Sequence, residues 1–186
     1  ATSPKKSLSI IETFYKKKIN YSIGFFFEYL KWYKLIKKVL DHSKKKNNIH
    51  IKWDIKNKSD ELNNWKYNSK NGGGLIRYYG IHFIKLFSDL NFNKIKINRL
   101  TNNYWKFSIE DKKNNIINVF LKYSKISNFS YKINNSSTKK FDNPFFNKIE
   151  PKLIDPRCFY IKKYIRKNLF NYDNIFINTK KFLNLW

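Results

Sequence analysis

The sequence predicts an α+β domain with a largely antiparallel sheet. A helix, a strand and a second helix are followed by mostly successive strand-like runs, with one further helical pattern among them. The 186 residues are 41% hydrophobic and 19% aromatic, which suffices for one packed core. No apolar run approaches the roughly 18 residues that span a bilayer, and a single cysteine is typical of a reducing compartment. We therefore expect a soluble, cytoplasmic domain.

The first third of the chain predicts helix, strand and helix. "SLSIIETFYKKK" has apolar residues at helical spacing, and Ser7 or Ser9 is its expected cap. "INYSIGFFF", Ile19–Phe27, is rich in β-forming residues and predicts a strand covered on both faces. "EYLKWYKLIKKVLD" predicts a helix whose buried stripe comprises Leu30, Tyr33, Leu35, Ile36, Val39 and Leu40.

The middle of the chain predicts strands. In "NIHIKWDI" apolar residues alternate with His50, Lys52 and Asp54, so these three polar side chains are expected to face outward. Alternating runs recur in "NKIKINRL", "NYWKFSIE", "NIINVFLKYS" and "NFSYKI", the middle two joined by a hairpin loop, "DKKNN". The Pro-bearing tract 134–156 is predicted irregular, and a last helix begins at Asp155 and Pro156.

Three of the five glycines, Gly72, Gly73 and Gly74, directly precede a helical pattern that runs to Leu90. Glycines there let the backbone approach a ligand, and first-turn amides favour an anion or an electron-rich oxygen. A hinge is the open alternative. Gly80 lies within the helix, where glycine costs about 1 kcal/mol relative to alanine, so close packing on the sheet or a ligand is expected.

His82 is the candidate acid/base. It lies four residues after Tyr78, which predicts that the two side chains share a helix face. An ordinary histidine pKa of about 6.5 suits proton transfer near neutrality. Lys85, a nearby cation, is expected to lower the pKa of His82. A purely structural histidine is the alternative.

The formal charge of +26 raises the question of a nucleic-acid partner. Nearly all of it is lysine spread along the chain, and the only arginines are Arg77, Arg99, Arg157 and Arg166. This Lys, Asn, Ile, Phe and Tyr bias is typical of AT-rich coding. It favours solvated surface lysines, so a nucleic-acid partner is not expected, and a basic RNA-associated, ribosomal-type protein stays an alternative.

"WKYNSKNGGGLIRYYGIHFI" resembles the signature of the glucose-fructose oxidoreductase, inositol dehydrogenase and rhizopine-catabolism (Gfo/Idh/MocA) family. That signature has Trp-Arg, a Gly-Gly-Gly turn, and a helix with Asp-x-Gly-x-His. The flank "ATSPKKSLSIIETFYKKKINYSIGFFFEYLKWYKLIKKVL" follows the family's order of helix, strand ending in Val-Gly-Phe, and helix. The resemblance covers residues 1 to about 122, and more loosely the end of the chain.

The resemblance implies a C-terminal fragment of an NAD(P)-dependent oxidoreductase that lacks its N-terminal Rossmann domain. Residues 1–27 would be the last helix and strand of that domain. Residues 28–186 would form the substrate-binding and oligomerisation domain, an open, mostly antiparallel sheet with helices on one face. NAD or NADP would be bound mainly by the missing part, since none of the glycines forms a G-x-G-x-x-G fingerprint.

The implied reaction moves a hydride between nicotinamide and a secondary alcohol or ketone of a sugar-type substrate. The implied catalytic residues are His82 and Tyr78, which stands where the family has aspartate. No metal is implied, and a homo-oligomer would form through the sheet face. A non-catalytic oligomerisation relative is a further alternative. The implied substrate-binding residues are Trp65, Lys66, Gly72, Gly73, Gly74 and Arg77.

Overall fold

The computed structural model of the chain describes residues 3–19, 21, 25, 27–56, 73–92, 95–145 and 172–185. Its helices are α1 (Pro4–Lys16), α2 (Lys31–His42), α3 (Ile81–Asp89) and α4 (Tyr172–Leu185), with a 3₁₀ turn at Phe27–Tyr29 and a π-helix at Leu75–Gly80. The strands are β1 (Asn48–Lys56), β2 (Ile95–Thr101), β3 (Tyr104–Glu110), β4 (Ile116–Ser124), β5 (Asn128–Ile133) and β6 (Lys139–Phe141). The predicted α+β class is confirmed.

The six strands form one sheet in the order β2-β3-β4-β1-β5-β6. Four of the five neighbouring pairs are antiparallel, and β1 and β4 are parallel. β1 therefore lies inside the sheet, between β4 and β5. The predicted loop at residues 111–115 joins β3 to β4, and Asp111 Oδ1 accepts bonds from the amides of Lys113 (2.8 Å) and Asn115 (2.9 Å).

The two faces of the sheet differ in what covers them. The core face carries the alternating apolar side chains of β1, β3, β4 and β5, and the open face carries the residues between them. α2 packs on the core face, where the rings of Trp32 and Phe129 lie 5.0 Å apart. α3 packs there too, with 5.7 Å between the rings of Phe87 and Phe107. Large apolar side chains from both layers thus bury one another.

Several details of the first helices differ from the sequence prediction. α1 is capped by Ser3, whose Oγ accepts from the Lys6 amide at 3.2 Å, and neither Ser7 nor Ser9 is the cap. Pro4 explains the earlier start, because proline suits the first helical position. In α2 the predicted stripe is wrong at Leu35, which is 43% exposed, while Trp32 is buried.

Two segments depart from their predicted class. Of the strand predicted at 19–27, residues 19, 21 and 25 lie outside any strand and Phe27 begins the 3₁₀ turn. None of the described strands offers these residues a pairing partner, and a strand needs one. Within the tract predicted irregular, β6 pairs with β5 and stacks Phe141 on Tyr131 at 6.1 Å. The helix predicted from Asp155 lies outside the described residues.

The C-terminal helix α4 connects the start of the chain to the site region. The Tyr15 ring of α1 stacks on Phe176 of α4 at 4.3 Å, and its hydroxyl donates to Asp173 at 2.8 Å. Further along α4, Phe182 meets Phe25 at 5.1 Å. Within the described ranges, no helix has the length and apolar character to cross a membrane.

Candidate functional site

The site helix begins at the glycine run. Gly73 and Gly74 are buried, and Gly74 has a φ of 88°, in the region that favours glycine. Leu75–Gly80 is a π-helix that leads directly into α3. The sequence predicts an ordinary helix here, because its apolar spacing does not distinguish i+5 from i+4 hydrogen bonding. Single π-helical turns occur frequently at functional sites.

Gly80 is a packing position against the sheet, as its place in the sequence predicts. Its φ of −65° is ordinary for any residue, so backbone freedom is not the reason for glycine. A Cβ on Gly80 would lie 2.3 Å from Cζ3 and 2.8 Å from Cε3 of Trp105. Trp105 is buried and stacked on Phe107 at 4.0 Å, so it cannot easily move away. Glycine thus lets the site helix approach β3.

We expect Gly80→Ala to lower the free energy of unfolding by about 1 to 2 kcal/mol. Overpacking costs about 1 to 3 kcal/mol, and the helical preference of alanine returns up to about 1 kcal/mol. Urea unfolding checks the value. Since the close atoms belong to the six-membered ring of the indole, the cost should shrink in a Trp105→Phe background. An equal cost in both backgrounds would contradict the packing role.

His82 lies in an aromatic shell. Its ring stacks on Phe27 at 5.1 Å and meets the edges of Phe25 at 5.6 Å and Phe145 at 6.2 Å. The residue as a whole keeps partial exposure, but its Nδ1 is buried and has no hydrogen-bond partner among the described residues. The exposed part of His82 leaves the ring accessible to a ligand, and no described hydrogen bond at Nδ1 fixes the orientation of the ring.

Burial lowers the pKa of His82 to about 4. The direction agrees with the sequence prediction, but the physical cause is desolvation of the imidazolium and not the charge of Lys85. Lys85 instead pairs with Asp89, one turn further along α3. At neutral pH the imidazole is therefore uncharged and able to accept a proton.

The other predicted site residues divide into two groups. Tyr78 and Arg77 lie on the π-helix, where Tyr78 contacts the ring of Tyr79 at 4.8 Å and Arg77 is exposed. Among the described residues, no ring contact joins Tyr78 to His82. Tyr78 belongs to the π-helix and His82 to α3, and their shared helix face stays a prediction. Trp65, Lys66 and Gly72 lie outside the described residues.

Sequence reasoning missed the aromatic shell. Phe27 contacts His82 and also Trp53, whose ring lies 6.4 Å away. Trp53 in turn meets Tyr79 at 5.3 Å and Phe145 at 6.3 Å. Phe27, Trp53 and Phe145 come from the 3₁₀ turn, β1 and the segment after β6, so no local spacing relates them to His82. The high aromatic content was the only available signal.

No protein-family profile matches the chain, and no curated protein matches it in sequence. Solved structures do match in fold. The WlbA (WbpB) dehydrogenase of Thermus thermophilus, in complex with NAD and alpha-ketoglutarate, superposes with a TM-score of 0.68 at 13% identity, covering 100% of this chain and 61% of its own. Scyllo-inositol dehydrogenase of Lactobacillus casei, with bound NAD(H) and scyllo-inositol, superposes with a TM-score of 0.56 at 11% identity. The superposition covers 95% of this chain and 66% of the dehydrogenase.

A second WlbA structure, in complex with NAD and UDP-GlcNAcA, has a TM-score of 0.61 at 15% identity and covers 87% of this chain. The chain spans 52 to 66% of the length of these three structures. Identities this low establish the fold alone. The chain has the fold of the C-terminal domain of Gfo/Idh/MocA-type dehydrogenases.

Proposed function

We propose that the chain is the substrate-binding part of an NAD(P)-dependent oxidoreductase acting on a secondary alcohol or ketone of a sugar or sugar derivative. The dehydrogenases of similar fold are crystallised with NAD and with inositol or UDP-GlcNAcA. The observation that carries the proposal is the position of the His82 imidazole within its aromatic shell, whose burial keeps the ring uncharged at neutral pH. His82 lies two residues beyond Gly80, on a helix entered through buried glycines.

The residues of the chain fit a proton-transfer role beside a hydride acceptor. When bound, the nicotinamide supplies the hydride chemistry. His82, uncharged at neutral pH, accepts the hydroxyl proton as the alcohol is oxidised and returns it in the reverse direction. The shell of Phe25, Phe27 and Phe145 excludes water from one side of the ring.

The same aromatic shell weakens His82 as a base, because it offers no charge that stabilises the imidazolium. A carboxylate beside Nδ1 would orient the ring and stabilise the imidazolium, whereas Nδ1 here is buried and no described residue hydrogen-bonds to it. Tyr78, at the place where the resemblance expects aspartate, carries a phenol and not a carboxylate. The proposed enzyme therefore transfers the proton to a ring that stays poorly stabilised when charged, and a modest turnover is expected.

The remaining roles follow the resemblance. Trp65 would wall the nicotinamide or sugar face, Lys66 and Arg77 would meet anionic groups, and Gly72 with its two neighbours would let the backbone pass close to the ligand. Residues 1–27 would end a cofactor domain that lies upstream and binds NAD or NADP. A cytoplasmic location agrees with the single cysteine.

The full-length protein tests the proposal. Incubated with NAD or NADP and a panel of inositols and nucleotide sugars, it should form reduced nicotinamide, followed by absorbance. Cofactor binding is measured separately by fluorescence quenching. If NAD or NADP binds but no alcohol is turned over, the result would instead support the alternative that the protein is a non-catalytic oligomerisation relative of the oxidoreductases.

Self-association through the open face of the sheet is part of the proposal, and its electrostatics make a prediction. In the described strands, eight cationic side chains occupy this face against two acidic ones, Asp54 and Glu110. The cationic residues are Lys52, Lys56, Lys96, Arg99, Lys106, Lys122, Lys132 and Lys140. Two copies face to face would therefore repel each other.

We expect dimers formed through this face to tighten as salt is added. The screening length falls from about 30 Å at 0.01 M to about 3 Å at 1 M ionic strength, which removes the repulsion. Sedimentation velocity across that range measures the dissociation constant. Lys106→Glu should strengthen association at low salt, and a dimer that weakens with added salt would contradict this interface.

A further inference from the structure

The register of the sheet aligns one row of open-face residues across all six strands. Cross-strand pairs join Arg99 to Lys106, Lys106 to Phe120, Phe120 to Lys52, Lys52 to Ser130, and Ser130 to Lys140. We call these six residues the cationic row. Five intervals of about 4.8 Å give the row a length of about 24 Å. It carries four positive charges and no acidic residue.

Of the four charges of the row, only that of Lys52 has an acidic partner among the described residues. Asp54 lies one row away, where its Oδ2 pairs with Lys52 at 3.1 Å and its Oδ1 lies 3.7 Å from Lys122. Arg99 and Lys106 lie directly opposite each other, and like charges in that position destabilise a sheet. A bound anion would relieve this repulsion, because it places negative charge between the two cations.

Aromatic rings accompany the charges. Phe120 lies in the middle of the row, half-buried, and the half-buried ring of Tyr104 in the adjacent row meets it at 4.7 Å. The guanidinium of Arg99 lies 5.2 Å from the Tyr104 ring centre, and Lys52 Nζ lies 5.9 Å from that of Phe120. Half-exposed rings flanked by cations are the surface on which unpaired bases stack.

We propose that the cationic row binds single-stranded nucleic acid laid across the strands. Phosphates would contact Arg99, Lys106, Lys52 and Lys140, and a base would stack on Phe120 or Tyr104. Composition alone argues against a nucleic-acid partner, because the lysines are spread along the chain. The fold changes that argument, since it brings cations from four separate strands into line.

Two other occupants fit the same face less well. A second copy would oppose like charges on like charges at low salt, so the dimer proposed above forms at high salt, where nucleic acid binds weakly. An acidic polypeptide would neutralise the cations, but it would leave the rings of Phe120 and Tyr104 without a role. Single-stranded nucleic acid uses both features. The row lies on the opposite side of the sheet from His82, so the proposal is independent of the dehydrogenase site.

The test uses the 186-residue chain and a fluorescein-labelled oligouridylate. About 12 nucleotides exceed the 24 Å length of the row. Anisotropy should show binding that weakens steeply between about 50 and 200 mM salt, with a slope set by the phosphates neutralised. An oligothymidylate of equal length distinguishes RNA from DNA as the source of this chemistry, and polyglutamate of equal charge probes an acidic polypeptide.

Matched charge reversals separate the row from the overall charge. Lys106→Glu with Lys140→Glu, both exposed in the row, should weaken oligouridylate binding at least about tenfold. Lys34→Glu with Lys38→Glu makes the same charge change on the exposed side of α2 and should weaken it about twofold or less. Circular dichroism verifies that both double variants are folded.

Phe120→Ala isolates base stacking. It should weaken oligonucleotide binding about fivefold or more while leaving polyglutamate binding unchanged. Equal losses from the two double charge reversals would overturn the proposal in favour of non-specific attraction by the net charge. Equal affinity for polyglutamate, with no effect of Phe120→Ala, would overturn it in favour of an acidic polypeptide. Absence of oligonucleotide binding at low salt would overturn it outright.

Discussion

Replacing His82 by alanine in the full-length protein is expected to lower kcat by about 10²- to 10⁴-fold, the usual contribution of a positioned general acid or base. The structure supports this size because the imidazole is uncharged at neutral pH and lies within an aromatic shell that limits access of water. The KM should change little, since the loss falls on a proton transferred only in the chemical step. Steady-state kinetics in both directions measure it.

Two variants make the result interpretable. His82→Gln keeps the size of the side chain and can hydrogen-bond, but it cannot take up the proton at neutral pH, so it should lose kcat to a similar extent. His50→Ala removes a histidine from the exposed open face and should leave kcat unchanged. If His82→Ala turned over at the rate of the parent protein, the acid/base role would be wrong and the residue would be structural.

The sequence predicted the elements whose pattern is local. Ile49, Ile51 and Trp53 alternate with polar residues and form a buried strand, because alternation with period two fixes which face each side chain takes. Gly80 was predicted as a packing position from its cost within a helix, and the contact with Trp105 confirms that interpretation. In both cases the relevant physics acts over a few residues.

What the sequence could not predict depends on contacts between distant segments. Asp54 occupies an outward position of β1 but is buried, because Lys52 and Lys122 cover it. The π-helix at 75–80 has the apolar spacing of an ordinary helix. The shell around His82 combines Phe25 and Phe27 with Phe145, which lies more than 100 residues further along the chain, so its effect on the imidazole is a property of the tertiary structure alone.

The buried imidazole also makes stability depend on pH. The folded pKa of His82 is about 4, and that of the unfolded chain is about 6.5. Between these values the unfolded state binds a proton that the folded state does not. The contribution of His82 to the free energy of unfolding is therefore fully present above about pH 6.5. It falls as the pH drops towards 4, and below about pH 4 it does not change further. We expect a total loss of up to about 3 kcal/mol from this group.

His82→Phe isolates the effect from other titrating groups. Phenylalanine suits a position that Phe25, Phe27 and Phe145 already surround, and it carries no proton. Urea unfolding near pH 7 and near pH 4 should therefore show a smaller loss of stability in His82→Phe than in the parent chain, by up to about 3 kcal/mol. His50→Phe, at an exposed position, should keep the full loss. An unchanged pH dependence in His82→Phe would mean that the imidazole of His82 is solvated in the folded protein. Burial would then not lower its pKa, and the proposed acid/base chemistry would lose that support.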